Sequence, residues 1–284
     1  MGQVASKFGK ELALAYVFDE IAEKDFDKID NKKHKDTLDK IRKIRFGTGE
    51  EWEPPQPSSD SRIWRYINLT ELLSILERES LWFTDISNFE DPYEGTLPKR
   101  NAEDEIQKIA EEFDISKKSA DQLHSFIVDS PGIIGYYVNC WNLSSHESAA
   151  LWEQYIETSQ GVAISTTVER LKSSIDSDHS FTFGDVEYID YEIETIPPGI
   201  IPMLYHKRKS FKHENEFRAC IEPSEDENSD EGKYVKVDVD VLIDEIYLSP
   251  ISPDWFESLI GEILKTYGVD CELKKSDLYS DPVY

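Results

Sequence analysis

Between residues 61 and 275, short apolar strands are set irregularly among amphipathic helices, and this irregular order constrains the fold more than any single motif. Strict β–α alternation would call for a doubly wound parallel sheet; this order calls for an α+β fold instead. A strand is predicted at Ile63–Tyr66, followed by a helix carrying Leu69, Leu72, Leu73 and Leu76 on one stripe. Leu81–Phe83 reads as a short strand and 101–128 as one helix. Further strands are expected at Ile133–Trp141, Gly161–Thr166 and Asp185–Tyr191, with a helix over 145–157. Residues 213–222 and 233–239 read as a hairpin around the acidic loop Ser224–Glu231. The tail predicts strand Glu245–Leu248, helix Pro253–Tyr267 and strand Val269–Leu273. The expected architecture is a mixed sheet with interleaved helices in a single core domain, 61–284.

Ahead of it, residues 3–28 and 29–47 carry helical spacing, the second stretch Lys-rich. Residues 47–60 hold three prolines, two glycines and four acids, the composition of a linker. Residues 1–60 are therefore expected to form a helical N-terminal appendage and Pro-rich linker.

Charge narrows the function. Acidic residues number 58 against 31 basic, a net charge of −27. A field of that sign repels polyanions, so bulk nucleic acid is not an expected partner, whereas a small anionic or nucleotide ligand needs only a local basic site. Cys140, Cys220 and Cys271 lie far apart with no C-x-x-C, which fits a reducing, cytoplasmic setting rather than a disulfide framework. No apolar run has the length of a membrane span, and no cleavable leader is expected, since Lys7, Lys10 and Glu11 interrupt the first apolar stretch. Met1-Gly2-Gln3-Val4-Ala5-Ser6 fits the myristoylation pattern. G-x-G-x-x-G, P-loop, G-x-S-x-G and H-E-x-x-H signatures are all missing.

Four segments carry candidate chemistry. His206, Lys207, Arg208 and Lys209, with Ser210, Lys212 and His213, form a basic island suited to a phosphate or carboxylate, or to pairing with the protein's own acids. On a strand over 213–222, Glu214, Glu216 and Arg218 would share one face while Phe217 and Ala219 face the core. Asp91-Pro92-Tyr93-Glu94-Gly95 puts two acids on a stiff turn, to orient a substrate or cation or to cap local backbone. On the helix over 145–157, Trp152 and Tyr155 stand one turn apart, as a wall for a planar ring or as core.

The pieces Trp64-Arg65-Tyr66, Leu81-Trp82-Phe83, Asp91 to Gly95, Cys140-Trp141, Glu147 to Ala150, Gly161 to Ile164, Tyr188 to Tyr191 and His206 to Ala219 follow one another in a characteristic order. That order resembles the microbial family catalogued as domain of unknown function 2971, over roughly residues 62–275. This resemblance implies no activity.

A second likeness does. Arg65 on the first core strand, Ser165-Thr166-Thr167 ending a middle strand and Glu214-x-Glu216 on a late strand are similar to the Arg, Ser-Thr-Ser, Glu-x-Glu order of one class of ADP-ribosyltransferases. It implies NAD as co-substrate, Arg65 on its phosphates, and Glu216 stabilising an oxocarbenium-like transition state with Glu214 beside it. Such an enzyme fits a defence or stress response. Two other readings stand beside it. In a metal-dependent phosphodiesterase or nuclease, Asp91, Glu94, Glu214 and Glu216 would bind Mg2+. In a non-catalytic sensor, the aromatic helix and the basic island would form a ligand pocket. On the first two readings Arg65, Glu94, Trp152, Lys207, Arg208 and Glu216 are expected around one cleft.

Overall fold

The computed structural model describes residues 40, 43–44, 52–128, 136–155, 159–222, 231–279 and 282. The expected helix over 3–28, most of that over 29–47, Gly2 and the acidic residues 224–230 lie outside the described residues; Lys40, Lys43 and Ile44 are helical. The fold is α+β around a mixed sheet, as the pattern predicts. Contacts group the chain into two compact units. One holds the described residues up to Glu53 with 92–134 and 189–208; the other holds 54–91, 135–188 and 209–284. The boundary thus falls after Glu53, not near residue 60. Among the described residues no helix is long and apolar enough to cross a membrane.

The larger unit contains a nine-stranded sheet. Its strands are β1 (Arg62–Asn68), β2 (Ser80–Asp85), β3 (Tyr137–Leu143), β4 (Gly161–Thr167), β5 (Phe181–Asp185), β8 (Glu216–Ile221), β9 (Gly232–Lys236), β10 (Glu245–Leu248) and β11 (Glu272–Lys275). Two short strands, β6 (Glu187–Ile189) and β7 (His206–Arg208), stand outside it. Within the nine-stranded sheet β10 and β11 pair in parallel and the other ladders are antiparallel.

β3 organises the sheet. One edge pairs with β8, from Tyr137↔Ile221 to Asn142↔Glu216. The opposite edge is shared. Asn142 and Leu143 pair with Trp64 and Ile63 of β1, while Tyr137 and Val138 pair with Asp85 and Thr84 of β2. Between those contacts β1 and β2 diverge, and side chains replace the missing ladder: Arg65 donates to the Cys140 carbonyl (2.8 Å) and Asn139 to the Trp82 carbonyl (2.8 Å).

The predicted hairpin of 213–222 with 233–239 does not form. β8, buried on both faces, pairs with β3 and β5, and β9 pairs with β2. The single helix expected over 101–128 is two, α2 (Lys99–Phe113) and α3 (Lys117–Val128). Asp114, at φ 50°, turns the chain, and the Ser116 hydroxyl accepts the Ser119 N–H at the new start.

One sheet face holds the main core, with Ile63, Ile67, Leu81, Phe83, Trp141, Ile164 and Phe217 packed against helices. Those helices include α1 (Leu69–Arg78) and α5 (Asp254–Tyr267). α1 begins at a capping box, Asn68 with Glu71, and buries Leu72, Ile75 and Leu76. The other face carries a second cluster: Trp64, Tyr66 and Ala163 with Leu151 and Trp152 of α4 (Ala149–Tyr155). Residues 145–148, expected as helix, precede α4. In the smaller unit α2 and α3 pack through Ile106, Ile109, Ala120 and Leu123, and the buried Glu105 and His124 side chains meet at 3.0 Å.

The Pro-rich segment is not a loose linker throughout. Pro54 is buried, and the Asp185 N–H donates to the Pro55 carbonyl (2.8 Å). Gly184 permits this contact, since a Cβ there would stand 2.6 Å from Pro54 Cβ and 2.9 Å from the Pro55 oxygen. Gly184→Ala should therefore cost about 1–3 kcal/mol and open residues 54–60 to proteases; Tm and limited proteolysis measure both.

Asp185 supplies a pH signature. Its register places it beside Phe217, and burial pushes its carboxyl up to about 6. The folded state then holds the proton more tightly than the unfolded one, so ionised Asp185 opposes folding above that pH and not below about 4. Asp185→Asn should raise stability at pH 8 by about 1 kcal/mol after allowance for partial exposure. The gain should shrink as pH falls from 6 toward 4, as denaturant melts will show.

Candidate functional site

The late strand begins later than its sequence pattern suggests. Lys209–Glu214 forms a 3-10 helix, Asn215 turns at φ 40°, and β8 opens at Glu216. Glu214 therefore precedes the strand instead of sharing its alternation. From Glu216 onward the alternation holds. Cys140 stands opposite Arg218 and Asn142 opposite Glu216, whereas Phe217 and Ala219 project to the main-core side opposite Trp141 and Asn139.

The registers line up two transverse rows on the face of the second cluster. Ser165, Trp64, Asn142 and Glu216 are successive partners across β4, β1, β3 and β8. Cys140 and Arg218 belong to the next row. Arg218 is wholly buried; its Nε donates to Glu216 Oε2 at 2.7 Å, and its guanidinium lies 5.5 Å from the Phe89 ring centre. Glu216 is buried too, and its N–H donates to the Tyr188 hydroxyl (2.9 Å). A charge-assisted bond of this length orients the carboxylate.

Next to it stands buried Glu214. Its carbonyl accepts from Asn142 Nδ2 (2.7 Å), and its carboxylate accepts from Gln154 Nε2 of α4 (3.1 Å). His213 Nε2 lies 3.1 Å from Gln154 Oε1.

Arg65 and Ser165 occupy neighbouring strands but opposite faces, since Arg65 pairs with Ile164 and Ser165 with Trp64. The Arg65 guanidinium turns into the gap between β1 and β3, where burial lowers its pKa from the ordinary value; it remains a cation at neutral pH. Ser165 is buried and its hydroxyl accepts from Arg62 (3.3 Å). Trp152 is 3% exposed, its Nε1 bonded to Glu147 (2.8 Å) and its ring edge-on to Tyr66, so it serves as core. Tyr155 is exposed. Burial raises the Tyr66 phenol, which stays protonated while accepting the Ser148 N–H (2.6 Å).

The smaller unit gathers a second set of expected residues. Lys207 Nζ meets Glu94 Oε1 at 3.1 Å, both side chains buried, and Arg208 lies 4.3 Å from the Tyr93 ring centre. His206 is buried against Trp52, and its Nδ1 bonds the Pro202 carbonyl (2.6 Å). Lys207 and Arg208 thus engage the protein's own Glu94 and Tyr93. Lys209 and Ser210 are exposed at the start of the 3-10 helix, and Asp91 ends a segment of the larger unit. Of the six residues expected around one cleft, Arg65, Trp152 and Glu216 belong to the larger unit and Glu94, Lys207 and Arg208 to the smaller. Among the described residues no three His, Cys, Asp or Glu side chains come together to hold a metal ion, so the expected Mg2+ donor set does not form.

Sequence reasoning did not single out Asn142, Gln154 or Tyr188 as site residues, and it read His213 only as part of the basic island. Asn142 had a signal, a polar residue closing an apolar strand; Gln154 and Tyr188 reach the site through tertiary contacts alone.

No family model matches the sequence. No curated protein matches it either. Among solved structures, that of DarT from Thermus sp. 2.9 in complex with NAD+ is similar over 78% of this chain and 97% of that chain. Identity is 9% and the TM-score 0.38, too low to support an argument.

The buried pair generates its own prediction. Arg218→Ala strands the Glu216 carboxylate and should cost about 3–5 kcal/mol. The double change Glu216→Leu with Arg218→Met should recover most of that loss in denaturant unfolding.

Proposed function

We propose that this chain is an ADP-ribosyltransferase-like enzyme acting on NAD, of the microbial family catalogued as domain of unknown function 2971, in a defence or stress response. The observation that carries the reading is Glu216: a buried carboxylate, oriented by Arg218 at 2.7 Å, in one row with Ser165, Trp64 and Asn142. When the bond between ribose C1 and the nicotinamide nitrogen breaks, its electron pair neutralises the pyridinium and positive charge builds on the ribose. A pre-oriented carboxylate in a site shielded from water stabilises that charge far better than water does. The acceptor's lone pair then forms the new bond to C1, and Glu214 takes the acceptor's proton. Ser165, three strands from Glu216 and bonded to Arg62, belongs to the support of the row and not to the ribose contact. Arg65, on the opposite face and bonded to the Cys140 carbonyl, braces β1 against β3 and takes no part in holding NAD. Lys207 and Arg208 position the turn carrying Tyr93 and Glu94.

The test is nicotinamide release from NAD, read by mass, with protein and nucleic-acid acceptors supplied from extract. Glu216→Gln keeps an oxygen for Arg218 but leaves its charge buried, so Tm should fall; in protein still folded at the assay temperature, release should drop by about 10²–10³-fold, and Glu216→Asp should fall between. Release by folded Glu216→Gln at the wild-type rate would overturn the assignment. NAD that raises Tm without turnover would mark a binding module, and EDTA-sensitive nucleotide cleavage would mark the metal-dependent alternative.

A further inference from the structure

Glu214 is clamped from two sides, and the chemistry of the clamp fixes the orientation of each amide. A backbone carbonyl only accepts, so the Asn142 amide must present Nδ2 to the Glu214 oxygen, 2.7 Å away. A carboxylate likewise only accepts, so Gln154 must present Nε2 to Glu214 Oε1 at 3.1 Å and turn its Oε1 outward. That oxygen faces His213 Nε2 at 3.1 Å, which must then donate. His213 therefore carries a proton on Nε2 in both its neutral and charged forms while the bond lasts. The chain runs from an exposed ring through an exposed amide to a buried carboxylate, and all three residues belong to the larger unit.

We infer that Gln154 is a positioning residue: it holds the Glu214 carboxylate in place from α4, and His213 locks the Gln154 amide in the orientation that does so. Asn142 fixes the same residue's backbone from β3. The consequence for catalysis rests on the reaction proposed above, in which Glu214 takes the acceptor's proton; the positioning itself does not.

Two readouts separate these. The first is the Glu214 carboxyl titration, followed by carbon NMR in full-length protein. Gln154→Leu removes a bond to the charged form and should move the titration upward. Gln154→Glu places a second carboxylate there and should move it further. His213→Ala keeps the Gln154 bond and should move it least. The second is nicotinamide release, in which Gln154→Leu should lower kcat about tenfold with KM for NAD within twofold. Gln154 is exposed, so neither variant should unfold the protein, and the two together guard against a folding defect in one. A Glu214 titration unchanged in both variants would overturn the inference. If wild-type protein releases no nicotinamide, the proposed reaction falls and the titration alone decides the positioning role.

Discussion

Everything in the larger unit depends on how β3 satisfies its backbone. One edge is fully laddered to β8, and the other is divided between β1 and β2. A buried strand cannot leave carbonyls unpaired without losing free energy comparable to a hydrogen bond each. The division is possible because two side chains bridge it, Arg65 to the Cys140 carbonyl and Asn139 to the Trp82 carbonyl. Asn139 in turn accepts from the Trp141 indole at 2.6 Å, which ties the gap to the main core. A guanidinium at this position is thus structural.

Both faces of β8 are buried, and this makes the Glu216–Arg218 pair possible. A strand with one wet face would leave these side chains in water, where an ion pair contributes about 0–1 kcal/mol. Buried, with the guanidinium near the Phe89 ring, they are desolvated, and each stabilises the other. Such pairs are weak evidence for stability but strong evidence for orientation. The same physics governs Lys207 and Glu94 in the smaller unit.

Legibility in the sequence followed the range of the interaction. β8 was readable because Phe217, Ala219 and Ile221 alternate with Glu216, Arg218 and Cys220 at period two, and α1 because Asn68 and Glu71 cap a leucine stripe. Its partners were not: neighbours in sequence suggested a hairpin with 233–239, and pairing chose β3 and β5. Glu214 was misplaced because the period-two pattern was extended through Asn215, although Asn is among the non-glycine residues that most readily turn left-handed. The helix break at Asp114 carried the same weak signal and was overridden by the helical periodicity around it. Lys207 was visible as a cation, but its partner lies more than a hundred positions away, and no local pattern links the two.

The fate of the basic island bears on what a chain of net charge −27 can recognise. A polyanion is held by many exposed cations acting together. Here the island is divided: Lys209, Lys212 and His213 are exposed, whereas His206 and Lys207 are buried and Arg208 lies over Tyr93. The buried part gives away long-range attraction for a polymer. It keeps short-range, desolvated charge, which acts on a ligand only after it has entered and been stripped of water. Interaction with such groups is steep in geometry and shallow in ionic strength.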